Sequence, residues 1–188
     1  QTNNDDELIA QDELVVSPPM IEVKPGAQQI FRVVNRTGAL VATDREKSFR
    51  VLIDEIPRPT TTPSSALKFQ MRYSLPLFVG TPIGLQDKSK EDKLKMMAKG
   101  LSYKIVQDDK GASIEINNRS NVHSRLSNVA IIDGERQHNL SDGLLGYILP
   151  SASRRWPLTS EQLASIKNAG ASLSFQQDRM ELRIVAEP

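Results

Sequence analysis

The stretch ALKFQMRYSLPLFV, residues 66–79, decides how the chain is read. Successive side chains of a strand alternate between two faces. Leu67, Phe69, Met71 and Tyr73 then share one face, and Lys68, Gln70, Arg72 and Ser74 the other. A strand that is bulky and apolar on one side needs a cover there. The segments before it supply too little β-structure to provide one.

Working back from this strand, residues 58–65 (RPTTTPSS) are rich in proline, which cannot donate to a ladder, and read as a surface loop. FRVLIDEIP (49–57) reads as a strand ended by Pro57. LVVSPPMIEVKPGAQQIFRVVN (14–35) alternates around Pro25-Gly26, a turn signal, and predicts a hairpin joined at Lys24–Ala27. Residues 1–13 are polar and acidic and read as a loop. Residues 14–79 thus supply about four strands, where an immunoglobulin-like sandwich needs roughly seven.

Working forward, residues 80–100 shift to glycine, proline and mixed charge and are expected to link two domains, with a short helix carrying Leu94 and Met97 on one side. Beyond them come short strands with turn signals at Asp109-Lys110-Gly111 and Asp133-Gly134. TSEQLASIKNAG (159–170) carries a cap and reads as a short helix or a loop. Strands every ~8–12 residues predict a second β-sandwich. The expected fold class is all-β: an incomplete first domain over 1–79, a linker over 80–100 and a second domain over 101–188.

Charge discounts one class of partner. The chain has 9 basic against 10 acidic residues to Val79 and 15 against 13 beyond it, so neither half has the excess of a nucleic-acid binder. Cysteine is absent, which excludes a disulfide scaffold and thiolate metal sites. No apolar run approaches the ~20 residues of a membrane helix, so the chain is not expected to be an integral membrane protein.

Chemistry is hard to place. His123 and His138 have no carboxylates at metal-ligand spacing and read as ordinary structural histidines. The pairs Asp5-Asp6, Asp54-Glu55 and Asp108-Asp109 are adjacent, so on strands they point apart and make no acid–base pair. No nucleophile elbow, phosphate loop or dinucleotide fingerprint occurs. Of three Asn-x-Ser/Thr triplets, at Asn35, Asn118 and Asn139, that at Asn118 reads as a strand-end turn. Neither catalysis nor a cofactor is expected, which leaves binding. An edge strand lending its apolar side chains to another protein is β-augmentation. A cell-surface adhesive or structural β-sandwich module is the alternative; its weakness is that residues 1–13 lack an alternating extension of their own, Leu8 and Ile9 being adjacent.

Four segments in order carry a resemblance. LVVSPPMIEVKPGAQQIFRVV, EKSFRVLIDEIP and ALKFQMRYSLPLFV resemble successive strands of the first domain of PapD-like periplasmic pilus chaperones. SIEINNRSNVHSRLSNV (113–129) resembles a strand pair of the second. The third segment is most similar to the archaic branch of the chaperone–usher pathway. The resemblance implies two immunoglobulin-like domains in a boomerang, periplasmic localisation, and capture of strand-deficient pilin subunits by donor-strand complementation before delivery to an outer-membrane usher. It implies Leu67, Phe69 and Met71, with Tyr73 as a fourth, as the donor side chains. It also implies basic residues in the interdomain cleft that anchor the pilin's C-terminal carboxylate; Arg50 comes first and Arg72 second. Relatives of this kind carry more sequence before the counterpart of Gln1, enough for about three strands at typical lengths, so the chain is expected to be a piece of a longer protein. An exposed apolar edge also favours self-association of the free protein.

Overall fold

The computed structural model describes residues 8–38, 42–56, 69–166 and 171–187. Among the described residues, thirteen strands and two helices follow in chain order. They are β1 Leu14–Ser17, β2 Arg32–Asn35, β3 Ala42–Thr43, β4 Lys47–Asp54, β5 Arg72–Val79 and β6 Thr81–Pro82; then α1 Lys90–Lys99, β7 Leu101–Asp108, β8 Gly111–Asn118, β9 Ser124–Asp133, β10 Arg136–Ile148 and β11 Ser153–Pro157; then α2 Ser160–Ile166, β12 Ser172–Gln177 and β13 Met180–Val185. The fold is mostly β, as expected.

The core lies in the second half. One sheet has the order β10-β9-β12-β13 and the other β11-β8-β7. Ile114, Ile116 and Tyr103 from the smaller sheet meet Leu126, Val129, Ile131, Ile148, Leu173, Phe175 and Ile184 from the larger in one buried cluster. The period-2 alternation of SIEIN produces this directly, since Ile114 and Ile116 share a face. In β9 the parity switches, with Leu126 inward and then Val129 and Ile131 inward. An extra residue must be absorbed between them. Asn128 does so at φ 48°, a left-handed conformation that asparagine tolerates, and the register to β10 and β12 shifts around it.

Helix α1 starts at Ser89, whose hydroxyl accepts from the Asp92 N–H, and Leu94, Met97 and Ala98 enter the second-half core. It therefore lies within the segment expected to link the halves, yet packs against one of them. The β7–β8 connection leaves Asp109 and Lys110 between paired Asp108 and Gly111, a two-residue turn at the expected place. At Asn118 the expected turn is present, its Oδ1 accepting from the Ser120 N–H at 2.9 Å.

Among the described residues one charge is buried in this sandwich. Glu115 is 4% exposed and takes an ion pair from Lys104 at 2.9 Å and another from Arg155. Burial works to raise its pKa, but hydrogen bonds from Lys104 and Arg155 outweigh it and hold the carboxyl below the ordinary range. A folded-state pKa below the unfolded value of about 4.3 contributes stability that is full above that value and is lost as pH falls through the depressed one. The melting temperature of the wild type is therefore expected to fall more steeply between about pH 5 and pH 3 than that of Glu115→Gln. Parallel slopes in the two proteins would remove Glu115 from the acid response.

The first half is built otherwise. Its pairings are β1 with β2, β4 with β5, and the short parallel pair β3 with β6. Among the described residues from Leu8 to Gly80, none is buried. The expected turn at Lys24–Ala27 is present, with the Ala27 N–H donating to the Lys24 carbonyl at 3.0 Å. The ladder, however, closes farther out, at Leu14–Ser17 against Arg32–Asn35. Pro18 and Pro19 have no N–H to give, so pairing stops at Ser17 and Met20–Lys24 are not a strand. The expected loop at 58–65 lies outside the described residues.

Candidate functional site

Strand β5 pairs with β4 along its whole length, from Arg72 opposite Asp54 to Val79 opposite Lys47. Residues paired across an antiparallel ladder share a face. Tyr73, Leu75 and Leu77 therefore lie with Ile53, Val51 and Phe49, while Arg72, Ser74, Pro76 and Phe78 lie with Asp54, Leu52, Arg50 and Ser48. Pro76 sits within the ladder, opposite Arg50. Among the described strands β5 pairs on one side only, an edge position where a missing N–H is tolerated.

The apolar face continues beyond the strand. The Met71 carbonyl accepts from the Glu55 N–H at 3.0 Å, and the Tyr73 hydroxyl lies 3.5 Å from the Met71 sulfur. Phe69 is 78% exposed, and Met71, Tyr73 and Leu75 are each 49% exposed. The expected donor residues Phe69, Met71 and Tyr73 thus form an exposed stripe; Leu67 lies outside the described residues. Leu75 extends the stripe, and continuing the alternation in sequence by two positions reveals it.

The opposite face of β4 and β5 forms one wall of a cleft of about 630 Å³. Arg50, Leu52, Pro76 and Phe78 line it from the first half, and Tyr147, Leu149 and Arg154 from the second. Arg72 is not among the lining residues. Its guanidinium takes its ladder partner Asp54 with both prongs of the fork, Nε to Oδ1 at 2.5 Å and Nη2 to Oδ2 at 2.9 Å. The hydrogen bond from Arg72 holds the Asp54 carboxyl below its ordinary range. Arg50 and Arg72 stand four residues apart in register, roughly 13 Å along the sheet.

The two halves meet at the floor of the cleft. Phe78 stacks on His123 with ring centroids 3.5 Å apart and planes 7° from parallel, and Tyr147 lies against both rings. Glu46 holds His123 twice through one oxygen, from the backbone N–H at 2.7 Å and from Nδ1 at 2.6 Å. A carboxylate accepts, so Nδ1 carries the proton. The Glu46 N–H donates in turn to the Asn121 carbonyl at 2.9 Å. His123 immediately precedes β9, and His138 lies in β10.

With this geometry in view, comparison with known proteins is specific. Residues 1–86 match the family model of the pili and flagellar-assembly chaperone, PapD N-terminal domain. No curated protein matches the sequence. Among solved structures, a chain of the CsuC–CsuE chaperone–tip adhesion subunit pre-assembly complex, from archaic chaperone–usher Csu pili of Acinetobacter baumannii, is 22% identical with a TM-score of 0.63, covering 95% of this chain and 76% of that one. The Pseudomonas aeruginosa CupB2 chaperone is 20% identical with a TM-score of 0.59, over 94% and 76%. The YadV chaperone is 16% identical with a TM-score of 0.58, over 91% and 76%. The fold is thus that of pilus chaperones, and the resemblance carried by the sequence motifs holds. Among the described residues, no helix is long and apolar enough to cross a membrane.

Proposed function

We propose that this chain, PapD-like in its first 86 residues and in its fold, works in the periplasm as a chaperone for pilin subunits and passes them to an outer-membrane usher. The observation that carries the reading is an exposed stripe, Tyr73 and Leu75 on a strand paired on one side only among the described strands and Phe69 and Met71 continuing it just before that strand. Such an edge has main-chain groups to offer a partner strand and side chains to fill a partner's groove. A pilin sandwich lacking its last strand has the complementary gap. The action is binding without catalysis, and the donor residues are Leu67, Phe69, Met71 and Tyr73. In the free state the same stripe drives self-association.

The carboxylate anchor goes to Arg50 ahead of Arg72. A carboxylate leaving water needs charge-assisted donors, and Arg50 lines the cleft whereas Arg72 does not. The test is reconstitution. Refolding an immunoglobulin-like pilin that lacks its own N-terminal extension in the presence of this chain is expected to give a 1:1 complex by multi-angle light scattering. A pilin that aggregates equally with and without the chain would count against the function.

A further inference from the structure

On the reading of the stripe as the surface that enters a pilin, we propose that Met71 is a redox-sensitive site, whose oxidation to the sulfoxide switches pilin capture off. The chain has no cysteine, so its five methionine thioethers are its sulfur groups. Met97 is buried and Met180 packs against the second core. Met20, Met71 and Met96 stand exposed, and of these Met71 alone lies in the stripe. Its carbonyl accepts from the Glu55 N–H, which fixes the backbone and sets the thioether between Phe69 and Tyr73 on one face. The periplasm proposed above is an oxidising compartment.

The oxidant is a peroxide or a hypohalous acid, small enough to reach an exposed thioether. A sulfur lone pair attacks one oxygen of hydrogen peroxide. The S–O bond forms as the O–O bond breaks, and the departing hydroxide leaves as water with the proton of the transferred oxygen. Sulfur is oxidised and the peroxide reduced. Two thiols of a sulfoxide reductase reverse the step, becoming a disulfide and releasing the oxygen as water. The product puts a polar group in the middle of an apolar stripe. A sulfoxide oxygen accepts hydrogen bonds far better than a thioether, and the Tyr73 hydroxyl stands 3.5 Å from the Met71 sulfur, ready to hold it there. Carrying that oxygen into an apolar groove costs its hydration. A bound pilin shields Met71, so the switch acts on the free chaperone and spares the loaded one.

The experiment treats the whole chain with hydrogen peroxide, maps sulfoxides by peptide mass spectrometry, and measures affinity for a pilin lacking its own N-terminal extension. Wild type oxidised at Met71 is expected to bind about tenfold or more weakly, and a methionine sulfoxide reductase with dithiothreitol to restore binding. Met71→Leu, apolar and without sulfur, should bind about as wild type and keep its affinity through the treatment. Met71→Gln, polar and of similar length, should bind about tenfold more weakly with no oxidant present. Met96 on α1, 45% exposed against 49% for Met71, is the internal reference: bound pilin should slow oxidation at Met71 and leave that at Met96 unchanged. Undiminished affinity with Met71 fully oxidised, or equal losses in wild type and Met71→Leu, overturns the proposal and leaves the chaperone reading standing. A wild type that binds no pilin before treatment fells the chaperone reading and the switch with it.

Discussion

Replacing Phe69 and Met71 together with aspartate is expected to abolish the pilin complex while leaving the second half folded. Each of these side chains is worth roughly 1.5–3 kcal/mol when moved from water into an apolar groove. Losing both removes about 3–6 kcal/mol, a hundredfold or more in affinity at 1.4 kcal/mol per tenfold. Two carboxylates forced into the same groove add a desolvation cost. The free chain should barely notice, because Phe69 is 78% exposed and Met71 49%, and substitution of exposed residues stays within about 0.5 kcal/mol. Gln70→Asp, on the other face, is the control and should bind nearly as wild type. Co-purification of the double variant with pilin at wild-type yield would sink the donor-strand idea, and equal losses in the double variant and Gln70→Asp would show that the face does not matter.

That stripe was legible because strand periodicity is local. Phe69, Met71 and Tyr73 declare a face without knowledge of anything distant, and so do Ile114 and Ile116 in the second core. The turns at Lys24–Ala27, Asp109–Lys110 and Gly134 were legible for the same reason. Ladder closure was not. Whether the Lys24–Ala27 turn closes tightly or carries a long loop depends on where Pro18 and Pro19 fall relative to the partner strand, and the ladder settles at Leu14–Ser17. The bulge at Asn128 hid as well, since a parity change within an apolar run looks like continuous burial.

The cleft was the least legible part, for a reason of distance along the chain. Glu46 and His123 are 77 residues apart, and their contact joins two segments whose local patterns say nothing of each other. Arg154 had no signal at all, because an arginine in SASRRWPL is an ordinary strand residue until β11 is placed opposite β8. Arg72 erred in the other direction. Its position on the basic face suggested a clamp, but the register that pairs β4 with β5 sets it directly opposite Asp54. Opposite charges facing each other across a ladder find each other first.

The division between a core-bearing half and an open half leads to a second large effect. Phe175 is 1% exposed and sits among Leu173, Leu182 and Ile131 in the second sandwich. Phe175→Ala is expected to cost about 3–5 kcal/mol, the transfer term of a buried phenyl plus the cavity it leaves. For a unit of about 100 residues that is a fall in melting temperature of roughly 12 °C or more. Val51→Ala, in the middle of β4, removes two methyl groups from a side chain that is only half-buried, none of the described residues from Leu8 to Gly80 being buried. Its expected cost is below about 1 kcal/mol, because without enclosure there is neither full transfer nor a cavity. The contrast should invert on complex formation. With pilin bound, the face shared by Val51, Leu75 and Tyr73 gains a cover, and Val51→Ala should then weaken the complex while Phe175→Ala acts only through stability. Calorimetry of both variants, alone and with pilin, reads this directly. Equal melting shifts for the two in the free chain would show that the first half carries a core of its own and would remove the basis for treating its apolar face as open to a partner.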